Sequence, residues 1–317
     1  MTLIWAPSRW AITDMPASFH TRRVMKMDDS VPVTIVEWSQ AGEPLIFVPG
    51  LGSTASNLSL LASQFTDRYR CLGITRRGAG QAGPDRTNVS IERLAGDIEA
   101  VCSELGIPQA TFIGHGFGCQ EIARLATQAP ALIRRAVLID GTFDRSEDGG
   151  SPQLPPPFEP PAPTLQDMAS LDRLVAFLSR VSGVRYPEAE VRELYPIDPA
   201  DQSKGHRQDQ AITINDLQAM TPPAWSALSK KPTLAIFAAP HEWQVWAPYM
   251  LAADREKQKQ FDHYFRMLQE RRQAQMFAFL EQVPQAMVGQ PEYSPHDVHL
   301  SHEWLVTHWI KALIAGD

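Results

Sequence analysis

The chain holds three cysteines in 317 residues, Cys71, Cys102 and Cys119, each inside an apolar stretch. An odd, sparse set of this kind excludes the disulfide framework of a small secreted domain and fits reduced thiols in a core. No apolar run approaches the ~20 residues that a membrane span needs, so no membrane partner is expected. The opening Met1-Thr2-Leu3-Ile4-Trp5-Ala6-Pro7 lacks the basic region and following apolar stretch of a secretory leader, and a cytoplasmic location is expected. No long run of like charge occurs, and a net charge of −7 argues against a nucleic-acid partner. Gly78-Ala79-Gly80 lacks the lysine of a phosphate loop and the third glycine of a dinucleotide fingerprint, so it reads as a tight turn and no cofactor is expected. His241, His296, His299 and His302 show no paired ligand spacing, so no metal is expected either. There is no internal repeat.

What is present is an alternation of short apolar strands and amphipathic helices. Residues 21–27 and 31–39 read as an antiparallel hairpin turning at Asp28-Asp29-Ser30. Leu45-Ile46-Phe47-Val48 and Cys71-Leu72-Gly73-Ile74 are continuous apolar runs, and residues 57–66 between them look helical. Ile91, Leu94, Ile98, Val101, Cys102 and Leu105 follow the 3-4 spacing of a helix that Gly106 stops. Strands are expected at 111–113, 136–139, 233–239 and near 286–288. Nearly all-apolar strands alternating with helices predict a mostly parallel sheet covered on both faces, an α/β fold. The pattern breaks after Asp144 with a proline-rich stretch over 151–163, then a helix over 165–182 and a short helix with Pro187 in its first turn. Residues 145–230 therefore read as an inserted helical cap, with 1–144 and 231–317 forming the core. A long helix over about 254–283 ends before Pro284, and Ser301 is expected to cap a last helix reaching Leu313.

One further absence bears on chemistry. Residues 110–119 run from an apolar strand into Gly114-His115-Gly116-Phe117-Gly118 and on into a helix. This is the pattern of a nucleophile elbow in which the central serine is replaced by glycine. Glycine tolerates the strained turn but carries no atom for covalent chemistry.

With the hairpin, the Pro49-Gly50-Leu51-Gly52 loop, the Gly114–Gly118 turn, the insertion and a late His296 in this order, the chain resembles the α/β-hydrolase superfamily over nearly its whole length. Ile74-Thr75-Arg76-Arg77-Gly78, Gly114 to Gly118 and His296 through His302 look like one bacterial, serine esterase-like branch. The resemblance implies an α/β-hydrolase fold with a cap. It implies that Gly116 stands at the nucleophile position and that His296 is the proton acceptor, with His299 second. It also implies an oxyanion hole made by the backbone N–H groups of Leu51 and Phe117. The family's histidine before the first loop glycine is here Pro49, which backbone donors do not need. The orienting acid is left between two positions. Glu242 follows the strand 233–239, and Asp140 ends the strand 136–139. Asp140 is preferred because Glu242 needs an unusual loop to reach back. Gly50, Ser53, His115 and Trp243 are the candidate substrate contacts.

The aromatics Phe158, Phe177, Tyr186, Trp225, Trp243, Trp246 and Tyr249 cluster in the cap and its flanks. Some should line an apolar pocket for a small hydrophobic substrate. Three readings of Gly116 stay open: a hydrolase disabled by a Ser-to-Gly change, a non-covalent lyase, cyclase or isomerase using His296 as base, or a non-catalytic binding protein. A homodimer is compatible with all three.

Overall fold

A computed structural model describes residues 21–80, 89–142, 158–195 and 221–316. The amino-terminal segment read above, the first part of the proline-rich stretch and the expected start of the cap at 145 lie outside the described residues.

Eight strands form one sheet. They are β1 (Thr21–Lys26), β2 (Pro32–Glu37), β3 (Glu43–Val48), β4 (Tyr69–Thr75), β5 (Ala110–His115), β6 (Ile133–Ile139), β7 (Thr233–Ile236) and β8 (Met287–Gly289). Their spatial order is β1-β2-β4-β3-β5-β6-β7-β8. The hairpin pairs antiparallel, β2 pairs antiparallel with β4, and every later pair is parallel. Successive side chains on a strand face opposite ways, so β3 sends Leu45 and Phe47 into one buried cluster and Ile46 and Val48 into the other. The first cluster is closed by α1 (Ser59–Ser63) and the last helix. The second is closed by α2 (Ile91–Glu104) and α3 (Gly118–Gln128). Ser90 caps α2 by accepting a hydrogen bond from the Arg93 amide, and Gly106 takes φ +65° where that helix stops. The chain leaves β3 to build β4 on one side, then crosses to build β5 on the other. That reversal puts a crevice at the carboxyl ends of the central strands.

Between β6 and β7 the described residues form α4 (Leu171–Ser182) and α5 (Glu188–Leu194). They pack on each other through Leu174, Phe177, Val191 and Leu194. Pro187 stands one residue before α5, at its N-cap. The end of the expected insertion behaves differently: Trp225 and Leu228 are buried in the sheet's own core. The long helix α6 (Arg255–Gln282) serves both parts. Its Phe261 and Phe265 pack with Phe158, Trp243 and Met250, while Phe279 joins the sheet core. The last helix, α7 (Glu303–Ala315), docks through Val306, Ile310 and Ile314. Ser301 does not cap it, because its hydroxyl turns back to the Asp297 carbonyl. All three cysteines are free and buried, and burial pushes the Cys71 and Cys102 thiols up to about 12. Among the described residues no helix is long and apolar enough to cross a membrane.

Candidate active site

Gly116, Asp140, His296 and the loop of Gly50 and Leu51 lie just beyond the carboxyl ends of parallel strands. Gly116 follows β5 and opens α3 after a one-residue turn. It takes φ +53°, the left-handed region where a side chain is strained. The turn is held by its amide donating to the Ile139 carbonyl and by the Cys119 amide donating to the Gly116 carbonyl. Gly118 is required by close approach, since a Cβ there would stand 2.3 Å from the Val48 carbonyl oxygen. A Cβ on Gly116 meets no such wall: its nearest neighbours are His296 Nε2 at 3.3 Å and Gly50 Cα at 3.5 Å. A small side chain here points at the histidine, which must give by a few tenths of an ångström, and the positive φ strains it.

His296 lies in the loop after β8. Its Nδ1–H donates to Asp140 Oδ2 at 2.7 Å, which leaves the Nε2 lone pair facing Gly116. Asp140 caps β6 at φ +44° and is fully buried. Its second oxygen accepts from the Ala238 amide at 2.9 Å and from Arg272 Nη2 at 2.6 Å. Burial opposes ionisation of Asp140. The Arg272 cation, His296 and the Ala238 amide outweigh it and hold the carboxyl well below the usual carboxylate range. The other acid named from the sequence is elsewhere. Glu242 is exposed at the N-terminus of a short helical turn, Trp243–Trp246, so it does not orient His296. The loop after β7 contributes a backbone amide instead of a carboxylate.

Arg272 carries no sequence signal, because it sits mid-helix in α6, 132 residues from its partner.

The loop after β3 brings Gly50, Leu51 and Ser53 to the same crevice. Leu51 packs against the cluster of Ile91, Leu94 and Phe117, so the two residues named for the oxyanion hole share one apolar neighbourhood. A cavity of about 1210 Å³ opens here, bounded by Gly50, Leu51, Ser53, His115 and His296 at its floor. Its walls come from α4 and α5 and from the segment before α6, and include Phe177, Tyr186, Trp246 and Tyr249. Trp243 is not on that wall. It is turned into the cluster around Phe261 in an edge-to-face contact with centroids 5.9 Å apart. Phe158 and Trp225 likewise serve packing.

Two more imidazoles crowd the floor. His115 lies 4.5 Å, ring to ring, from both His296 and His299. Its Nε2–H donates to the His296 carbonyl at 3.2 Å, and His299 Nε2–H donates to Asn57 Oδ1 at 2.7 Å. Both rings are buried. Burial and the neighbouring imidazole bring His115 down to about 4 and hold His299 well below its usual value. These neutral rings buttress the His296 loop from beneath. His115, Asp297 and His299 also offer ligand atoms within 4.8 Å of one another. Zinc at ~2.1 Å from each would need those atoms drawn to about 3.4 Å apart. The Nε2 atoms of both histidines are already engaged.

A crossed mostly parallel sheet with helices on both faces and an Asp–His pair at its switch point define a class. The chain is an α/β-hydrolase-fold protein, and residues 43–194 match the family model for that fold. It is similar to a putative esterase/lipase of Haemophilus influenzae, 28% identical over 96 residues, 30% of this chain and 33% of that protein. It is also similar to 3-oxoadipate enol-lactonase 2 of Acinetobacter baylyi, 32% identical over 101 residues, 32% of this chain and 38% of that protein. The chain thus matches about a third of the length of these curated relatives. Among solved structures, E-2-(acetamidomethylene)succinate hydrolase superposes with a TM-score of 0.67 at 17% identity, over 94% of this chain and 100% of that one. The enol-lactonase of Burkholderia xenovorans superposes with a TM-score of 0.60 at 17% identity, over 92% and 100%.

Proposed function

We propose that the protein acts on an apolar or aromatic small molecule carrying an ester, lactone or amide carbonyl, by general-base catalysis without a covalent intermediate. The observation that carries this is the Asp140–His296 pair with Nε2 aimed at a side-chain-free Gly116. With no side chain on Gly116, the space in front of the Nε2 lone pair is left for a water within hydrogen-bond reach of the base. His296 takes a proton from that water as its oxygen adds to the carbonyl carbon. The Leu51 and Phe117 amides hold the oxyanion, and the imidazolium returns the proton to the leaving oxygen or nitrogen as the acyl bond breaks. Asp140, fixed by Arg272, holds the ring and balances its transient charge. The insertion expected over 145–230 serves as a cap: its described α4 and the link to α5 bring Phe177 and Tyr186 to the cavity, and Trp246 and Tyr249 add apolar contacts from the segment before α6.

The same base serves a second reaction class, removal of a proton from carbon beside the carbonyl, in which no water enters the product. Incubation of the unmodified chain and His296→Ala with a panel of aryl esters, lactones and amides in ¹⁸O-water, followed by mass spectrometry, tests the reading. One ¹⁸O in the acid product, lost in His296→Ala, is expected. Product without ¹⁸O identifies the proton-transfer chemistry. Unchanged ligand with both proteins identifies a binding protein.

A further inference from the structure

The structure assigns to Arg76 the task of setting the oxyanion hole: its guanidinium fixes the peptide planes of the loop after β3, and so the direction of the Leu51 N–H. This rests on the reading that Leu51 and Phe117 supply the donors.

Arg76 follows β4, and its side chain is 4% exposed. Nη1 donates to the Gly50 carbonyl at 2.6 Å, and Nη2 donates to the Pro49 carbonyl. The other side of the fork engages Glu121 in α3, with Nε to Oε1 at 3.1 Å and Nη2 to Oε2 at 2.8 Å. The guanidinium carbon also stands 5.4 Å from the centre of the Phe117 ring. One planar group therefore touches the loop that carries one donor, the residue that carries the other, and the helix that begins at the elbow.

The geometry of the peptide unit turns these contacts into a constraint. In a trans peptide the C=O of one residue and the N–H of the next point in opposite directions. With the Gly50 carbonyl drawn to Arg76, the Leu51 N–H must point away from Arg76. Within the loop the Gly50 carbonyl accepts only a long bond from the Ser53 amide, at 3.3 Å, and Gly50 has no side chain to restrict its rotation, so the shorter bond from Arg76 is the stronger hold on the orientation. Lysine has no equivalent fork: a point charge cannot hold two carbonyls and a carboxylate together. Glu121 is buried as well, and it supplies the countercharge that lets an arginine occupy the site.

The test uses the charge-free pair Arg76→Met with Glu121→Met, because Arg76→Met alone strands a buried carboxylate and can unfold the chain. Crystals of the double variant in the Gly116 chain read the loop directly. A rotated Gly50–Leu51 peptide is expected, and an unchanged one overturns the proposal whatever the activity. Turnover is read in the Gly116→Ser background with p-nitrophenyl butyrate. The double variant should lose about 10²–10³ in kcat with little change in KM, the usual worth of one oxyanion donor. Arg76→Lys should keep the fold and recover only part of the rate. Full rate in the double variant overturns the proposal. No hydrolysis by Gly116→Ser itself rejects covalent acyl transfer at this site, and the crystal comparison still decides whether Arg76 sets the peptide plane.

Discussion

His296 Nε2 lies 3.3 Å from the point where a Cβ on Gly116 would sit. A histidine already paired with a buried aspartate is thus aimed at a position with no atom to activate. Adding the atom has two opposed consequences. A serine at φ +53° costs roughly 1–2 kcal/mol of backbone strain, so Gly116→Ser should melt a few degrees below the parent. It should also gain ester hydrolysis, because a triad acts as a unit and a missing nucleophile hides up to roughly 10⁶-fold in turnover. Calorimetry and p-nitrophenyl ester turnover measure both. A stable Gly116→Ser chain with no gain over background shows that the site does not support covalent acyl transfer, and the ¹⁸O experiment on the unmodified chain then decides the water-attack reading.

The unmodified chain should form no acyl-enzyme. The nucleophile nearest the elbow, Cys119, is fully buried, and burial raises its thiol well above the ordinary value. Ser53 lines the cavity but no histidine pairs with it among the described hydrogen bonds. A fluorophosphonate probe should therefore leave the intact mass unchanged, while Gly116→Ser takes up one equivalent. A stoichiometric adduct on the parent chain, mapped to Cys119 or Ser53, contradicts this.

The two acids named from the sequence should separate cleanly. In the Gly116→Ser background, Asp140→Asn should lower kcat by about 10²–10⁴, since it removes the acceptor that fixes the His296 tautomer. Arg272→Gln should lower it less, because Asp140 keeps the Ala238 amide. Glu242→Gln should stay within a factor of two. Steady-state kinetics of the three variants, each checked for folding by circular dichroism, decides the order.

Much of this site was legible in the sequence, and for a local reason. Strand, glycine turn and helix are contiguous, so Gly116, Phe117 and the Pro49–Gly52 loop could be found from residue order. The parallel strands then carry their ends to one edge, which is why Asp140 and His296 meet although 156 residues separate them. Arg272 and the Arg76–Glu121 clamp were not legible as partners, because nothing near a mid-helix arginine announces a buried carboxylate far along the chain. Trp243 failed for the same kind of reason: composition puts an aromatic beside the cavity, but only packing against Phe261 decides which way it faces. Trp225 and Leu228 follow the helical segment in sequence yet bury in the sheet core, a placement that residue order does not show.

Acid should destabilise the fold through its two buried imidazoles. His115 falls to about 4 and His299 lies well below 6.5, both through burial, so the folded state stays neutral where the unfolded chain gains protons. With folded values depressed, the stability is complete above pH ~6.5 and is lost as pH falls towards 4. Each histidine contributes a slope of up to about 1 kcal/mol per pH unit. Urea denaturation between pH 7 and 4.5 should show this decline, and His299→Gln should remove close to half of it. A parent curve flat over that window contradicts the buried neutral rings.

The wall formed by α5 should loosen without the sheet doing so. Glu190 is fully buried and accepts from the Thr54 amide at 2.9 Å and from the Thr54 hydroxyl. Glu193, one turn on, accepts from Ser56 Oγ at 2.6 Å and from Arg22. Thr54 and Ser56 follow directly on the loop that carries Leu51 and Ser53, so these carboxylates tie the wall to the floor of the cavity. Thr54→Val keeps the shape and removes one charge-assisted donor, at a cost of about 1–3 kcal/mol. That cost is small against the burial of β5 and β6 in both core clusters, so it should appear as local opening. Hydrogen–deuterium exchange should rise in residues 188–195 and in the 50–58 loop, with β5 and β6 unchanged. Exchange that rises equally in the sheet means that α5 is no separate unit. No rise anywhere means that Glu190 is held by its other contacts and that the tie to Thr54 is dispensable.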